Sequence, residues 1–215
     1  MKKLLLTLMS CVMLLTACTG GTGTTTTTTA TNGSESKAEA TPEAKEPEPA
    51  KEEIHAIIDI KDYGTIDLVL YPDIAPETVE NIVNLAVSGF YDGLTFHRIM
   101  EGFMMQGGDP EGTGFGGSDH TIKGEFAANG FDNPLLHKRG VISMARANDP
   151  NSASSQFFIM HQDYPSLDGM YAAFGEVVSG IEVVDAICES AQPIDNNGTI
   201  PAEQQPVINS ITIKK

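Results

Sequence analysis

From Ile54 onward, apolar and polar residues alternate with a period of two, and this pattern constrains the fold more than any other feature. Ile54, Ala56, Ile58 and Ile60 alternate with His55, Asp59 and Lys61; beyond Asp62-Tyr63-Gly64, Ile66, Leu68 and Leu70 alternate with Asp67 and Tyr71. Two such runs across a short glycine-containing turn predict a β-hairpin. Further strands are expected at Thr95–Ile99, Phe103–Gln106, Gly140–Ala145, Gln156–His161, Ala172–Val177 and Pro206–Ile213. Helical periodicity appears at Pro76–Ser88, where Val79, Ile82, Val83, Leu85 and Ala86 form one stripe, Pro76 suits the first turn and Gly89 the stop. It recurs at Gly180–Glu189, with Ile181, Val184, Ile187 and Cys188 facing inward. A mostly β chain of about eight short strands and two helices predicts a closed barrel or a sandwich.

Before Ile54 the sequence is of another kind. Lys2 and Lys3 precede an apolar stretch, Leu4 to Leu15, broken by Thr7, Ser10 and Cys11. It falls short of the roughly 20 apolar residues that a stable membrane span needs. It ends in Leu15-Thr16-Ala17-Cys18, which resembles the lipobox of bacterial lipoproteins. That resemblance implies cleavage before Cys18 and lipidation of Cys18; the competing reading is an ordinary secretory signal with an unrelated cysteine. Thr19 to Glu53 holds no aromatic or large aliphatic residue, so no core can form there. As a coil its 35 residues span roughly 30–35 Å. Glu35 to Glu53 carries seven Glu against three Lys, a composition that an anionic surface repels. The expected organisation is thus a signal peptide at 1–17, a lipidated and disordered linker at 18–53, and a folded domain at 54–215.

The net charge of −16 argues against nucleic acid as a partner, because phosphate contacts need clustered Lys and Arg. Cys11, Cys18 and Cys188 offer no disulfide framework, so the domain must be held by its core. Gly112-Thr113-Gly114-Phe115-Gly116-Gly117 matches G-x-G-x-x-G, but no buried strand precedes it and no apolar helix follows. Those glycines are expected to let a surface loop turn tightly near the site. The five histidines lack metal-site spacing and no serine sits in a nucleophile elbow, so neither metal nor cofactor is expected.

The chemistry concentrates in Thr95–Asp109, TFHRIMEGFMMQGGD. Within it lie one guanidinium (Arg98), one amide (Gln106) and the soft apolar Phe103, Met104 and Met105. Alternation predicts that Phe96 and Arg98 share a face and that His97 points away from it. Taken alone, Phe-Met-Met reads as core. The whole run, however, resembles the F-H-R-x-x-x-G-F-M-x-Q-G-G-D signature of the cyclophilin family of peptidyl-prolyl cis-trans isomerases. Ser143-Met144-Ala145 with Ser155-Gln156-Phe157-Phe158-Ile159, and Leu167-Asp168-Gly169 with Phe174-Gly175, resemble two further blocks of that family, in family order.

The resemblance implies a closed eight-stranded antiparallel barrel with a helix over each end, and isomerisation of X-Pro bonds in proline-containing polypeptides. Arg98, Phe103 and Gln106 become the catalytic residues; Phe103, Met104, Gln106, Ala145, Phe158, Leu167 and Tyr171 become the substrate-binding ones. Three departures stand out. Ser166 occupies the place of a tryptophan, which implies weak cyclosporin inhibition. Tyr171 replaces a histidine. Arg146-Ala147 follows Ser-Met-Ala where asparagine is usual, with one extra residue before Gln156. Together with the N-terminal signals, the expectation is a monomeric isomerase anchored by lipid on the outer side of a bacterial membrane. A non-catalytic chaperone or proline-peptide binder, and a solute-binding lipoprotein, are the competing readings. The latter would need a longer, two-lobed chain.

Overall fold

A computed structural model describes residues 53–215. The expected signal peptide, Cys18 lipidation and linker lie outside the described residues. Eight strands, β1 (Ile54–Ile60), β2 (Gly64–Leu70), β3 (Thr95–Met100), β4 (Met104–Asp109), β5 (Val141–Met144), β6 (Phe157–Met160), β7 (Ala173–Ser179) and β8 (Ile208–Lys214), form one antiparallel sheet. Its order is β3-β4-β6-β5-β7-β2-β1-β8. Helix α1 (Pro76–Val87) follows β2 and α2 (Ile181–Ser190) follows β7. The two outermost strands approach one another at a Thr95–Val207 bridge, flanked by Phe96 N–H to Pro206 O at 3.0 Å and Ile208 N–H to Leu94 O at 2.8 Å.

The sheet's inner face and both helices share one core. Thr78, Val79, Ile82 and Ala86 of α1 are buried, as are Val183, Val184, Ile187 and Cys188 of α2. The α1 N-terminus has no side-chain cap of its own. Instead the buried Glu125 carboxylate accepts the N–H groups of Glu77 (3.1 Å) and Thr78 (2.9 Å), meeting donors that a helix start leaves open.

Strands β4, β5 and β6 and the first residues of β7 are buried on both faces, and this places the site. Along β4 to β7, Met105, Ile142, Phe157, Ile159 and Phe174 point into the main core. Their neighbours Met104, Val141, Phe158, Met160 and Ala173 form a second apolar cluster on the opposite face. Successive side chains of a strand alternate sides, so the unbroken runs Val-Ile-Ser-Met and Phe-Phe-Ile-Met supply two clusters at once. The second cluster floors the candidate site.

Strand β3 departs from simple alternation. Phe96 pairs with Gly107 and Arg98 with Gln106, so His97 and Arg98 together oppose one residue. This bulge turns Phe96 into the main core, edge-on to Phe157 at 6.0 Å, while Arg98 faces the second cluster. The expectation that Phe96 and Arg98 share a face is therefore corrected, because a bulge resets the alternation. A second register shift lies at Thr95/Phe96, where Gly108 is the unmatched residue, with φ +82°. A Cβ there would stand 2.5 Å from Ser155 O, so glycine is required by both conformation and space.

Candidate active site

A cavity of about 360 Å³ opens on the second apolar cluster. All eight residues singled out from the sequence line it: Arg98, Phe103, Met104, Gln106, Ala145, Phe158, Leu167 and Tyr171. They arrive from β3, the turn that follows it, β4, β6 and the segments after β5 and β6, brought together by the strand order. Phe158 and Tyr171 meet edge-to-face at 5.8 Å, and Phe103 leans on Tyr164 at 4.4 Å, so the apolar walls brace one another.

Arg98 is fixed from several sides. Its Nε donates to Asn197 O at 2.7 Å and its Nη1 to Gln106 Oε1 at 3.1 Å. Nη2 lies 3.4 Å from the Met100 sulfur, and the guanidinium carbon is 5.8 Å from the Phe103 ring centre. Burial draws the Arg98 pKa below its ordinary value, opposed by Tyr171 and Asp195. A guanidinium begins so far above neutrality that it keeps its charge. The result is a half-buried cation over an apolar floor, aimed by two anchors.

Gln106 is itself held. Its Nε2 donates to Gln156 Oε1 at 2.9 Å, and Gln156 Nε2 donates to Gly116 O at 2.8 Å and Gly114 O at 3.2 Å. The glycine-rich loop thereby supports Arg98 through two amides. That loop is pinned in turn by the buried Asp109 carboxylate, which accepts N–H groups from Glu111 (2.8 Å), Thr113 (3.0 Å) and Gly114 (2.6 Å). Burial alone would raise the Asp109 carboxyl, but these donors outweigh it and hold it below the ordinary carboxylate range.

Beneath Phe158, His137 bonds Asp168 Oδ1 through Nδ1 (3.1 Å) and Ser143 Oγ through Nε2 (3.0 Å), with its ring stacked on Phe158 at 6.0 Å. Ser143 is wholly buried, so no substrate carbonyl reaches it. The trio is a support for the floor rather than a nucleophile.

Several lining residues escaped the sequence. His97, expected to point away, lines the cavity because of the bulge; it is buried with neither ring nitrogen hydrogen-bonded. Burial lowers its pKa, partly offset by Asp109. Asn197, which contributes only a backbone carbonyl, left no signal in the sequence. Gln156 belonged to a recognised block, and it immediately precedes β6, the strand that pairs with β4 and so brings it beside Gln106. The Ala145 N–H is engaged with Gln156 O at 3.0 Å.

The fold and cavity together define a class: an antiparallel β domain with a preformed apolar slot under a fixed cation, suited to an extended peptide with one compact ring. Comparison with known proteins names the family. Residues 55–215 match the model described as cyclophilin type peptidyl-prolyl cis-trans isomerase/CLD, and the chain belongs to that family. Peptidyl-prolyl cis-trans isomerase B of Bacillus subtilis is 49% identical over 123 residues, covering 57% of this chain and 82% of that protein. The Helicobacter pylori peptidyl-prolyl cis-trans isomerase is 48% identical over 149 residues, covering 68% and 87%. A cyclophilin type isomerase of Cryptosporidium parvum, solved in the presence of the dipeptide Ala-Pro, superposes with a TM-score of 0.66 at 31% identity, covering 75% of this chain and 99% of that one. The activity of this chain is peptidyl-prolyl cis-trans isomerisation.

Proposed function

We propose that this isomerase is a monomer, lipid-anchored through Cys18, that accelerates proline-limited folding of exported polypeptides on the outer side of a bacterial membrane, with Arg98 as the group that acts on the X-Pro bond. We read its sheet as a barrel closed at the Thr95–Val207 bridge. The observation that carries the catalytic assignment is the Arg98 guanidinium, held by Asn197 O and Gln106 over the Phe103–Phe158 slot.

An X-Pro bond resists rotation by about 18–20 kcal/mol because of amide resonance. Twisting it localises a lone pair on the prolyl nitrogen, which then accepts a hydrogen bond that the planar amide does not. A donor already aimed at that position binds the twisted form more tightly than either planar isomer. No covalent step is required. Phe103, Met104, Phe158, Leu167 and Tyr171 would hold the ring, as suits the relative crystallised with Ala-Pro. Gln106 would orient Arg98 and hold the substrate backbone. At Ala145, whose N–H is engaged, pairing would use the carbonyl.

The localisation rests on the N-terminal sequence, and it is tested separately from the chemistry. In cells fed labelled palmitate, the full chain is expected to carry label and partition with detergent, and Cys18→Ser is expected to lose both. The purified chain is expected to shorten the slow, proline-limited refolding phase of a denatured test protein. Cys18→Ser remaining membrane-bound and labelled would refute the anchor. A folded chain that binds proline peptides but leaves the slow phase unchanged would make it a holding module.

A further inference from the structure

We infer that Arg146 makes this cleft selective for segments with an acidic side chain shortly before the proline. The inference rests on the isomerase reading, since it takes the first cavity as the proline slot. A second cavity of about 320 Å³ adjoins that slot and shares Gln106, Gly114, Phe115, Ala145 and Arg146 with it. With the proline ring over Phe158 and the X-Pro bond between Arg98 and Gln106, the preceding chain continues from Gln106 past Gln156 into this second cavity.

Arg146 stands at the junction in a fixed pose. Its guanidinium carbon lies 4.7 Å from the Tyr171 ring centre and 4.9 Å from that of Phe126. Nε and Nη2 both donate to Met170 O, at 3.3 and 2.8 Å, and Nη1 donates to Ala147 O at 2.9 Å. A guanidinium has five N–H groups in a rigid fork, and these contacts engage three, leaving one on each terminal nitrogen for an incoming carboxylate. The rings desolvate its faces and the carbonyls fix its direction, so little side-chain freedom is lost when a carboxylate docks.

The charge surrounding it is unusual for this chain. The protein carries 29 acidic residues against 13 basic ones, yet neither cavity has a carboxylate among its lining residues, while Arg98 and Arg146 both line the first. Asp149, in the same loop, is turned onto the Asn151 N–H at 2.8 Å. The remaining polar groups of the second cavity, including the Gln156 amide and the Ser152 and Ser154 hydroxyls, tolerate a carboxylate without repelling it. An acidic segment is thus repelled by the protein at large and received at the cleft, which directs it to one place.

The test uses the detergent-solubilised full chain and three tetrapeptides, Glu-Ala-Pro-Phe, Gln-Ala-Pro-Phe and Lys-Ala-Pro-Phe, with blocked termini. Both kcat/KM and Kd are measured, at low salt and at high salt. For the unaltered protein the Glu peptide is expected to exceed the Gln peptide by about fivefold, as one partly exposed charge pair provides, with the Lys peptide lowest. High salt should compress the series. In Arg146→Gln the Glu-to-Gln ratio is expected to fall to about one, and in Arg146→Glu to invert. Each ratio is internal to one variant, so a general loss of affinity does not mimic the result. Equal handling of the Glu and Gln peptides by the unaltered protein would overturn the inference, as would a preference that survives Arg146→Gln. If no peptide is turned over but the Kd ratios follow this pattern, the isomerase reading fails and the charge selectivity stands.

Discussion

Removing the Arg98 guanidinium tests the centre of the mechanism, and the structure sets its size. A 10⁵-fold acceleration corresponds to roughly 7 kcal/mol of transition-state stabilisation. Taking away one preorganised donor from a site of this kind costs about 10²–10³ in rate, near half of that total. Arg98→Ala is therefore expected to lower kcat/KM by about 10²–10³-fold. Arg98→Lys keeps the charge, but one ammonium cannot hold Asn197 O and Gln106 Oε1 together while still aiming at the prolyl nitrogen. It should recover no more than about tenfold of the loss. The fold should survive in both. Arg98 is half-buried, and its two oxygen partners border the open cavity where water can replace it, so the stability cost is about 1 kcal/mol and the Tm shift about 2–4 °C. The assay is NMR exchange on a proline peptide, with circular dichroism and thermal melts as controls. Retention of activity within about threefold in a folded Arg98→Ala variant would refute the reasoning.

Two further outcomes follow from the groups around the cavity. His97 and His137 are both held below the ordinary histidine pKa by burial, with Asp109 and Asp168 respectively opposing, so the folded protein binds their protons less readily than the unfolded chain. Their contribution is complete above about pH 6.5 and declines as pH falls below it, so Tm should drop from pH 7 to pH 5. The slope should flatten in His97→Asn; an unchanged slope would show that His97 is not one of the groups responsible. The raised pKa of His55, caused by Asp67 and Glu53 and opposed by burial, acts with the opposite sign: it favours folding at low pH and loses that effect as pH rises through the folded value. Asp109→Asn replaces one accepting oxygen with a donor facing loop N–H groups, which should cost about 1–3 kcal/mol. It should also lower kcat through Gln156 and Gln106, read as a melting shift accompanied by an activity loss; a shift with full activity would break the proposed support chain.

Much of the architecture was legible because local patterns and long-range ones agreed. Period-two runs gave the β1–β2 hairpin, the stripes at Pro76–Ser88 and Gly180–Glu189 gave α1 and α2, and neither needed a partner to be recognised. The eight residues expected at the site, which lie in or beside blocks that resemble a known family, all line one cavity, and that convergence follows from the strand order. The His97 and Phe96 placements went wrong for a specific reason. A bulge is a relation between two strands, and nothing in Phe-His-Arg announces that two of its residues face one residue of β4. Strand β4 was expected to end at Gln106 but continues through Gly107 and Gly108, because partner strands rather than intrinsic propensity complete the ladder there.

By itself, the sequence determined the mostly β character of the domain, its two helices, the motif in which Arg98 and Gln106 stand, and an N-terminal segment unlike the rest in composition. Those are properties of local periodicity, composition and motif. Tertiary structure alone decided how Arg98 is aimed, because its anchors come from Asn197 and Gln106, 99 and 8 residues away in the chain. It likewise decided that Gln156 couples the glycine-rich loop to the site, and that Arg146 stands between Phe126 and Tyr171. A residue's type can be read where it stands, but the direction of its hydrogen bonds is set by whatever the folded chain brings beside it.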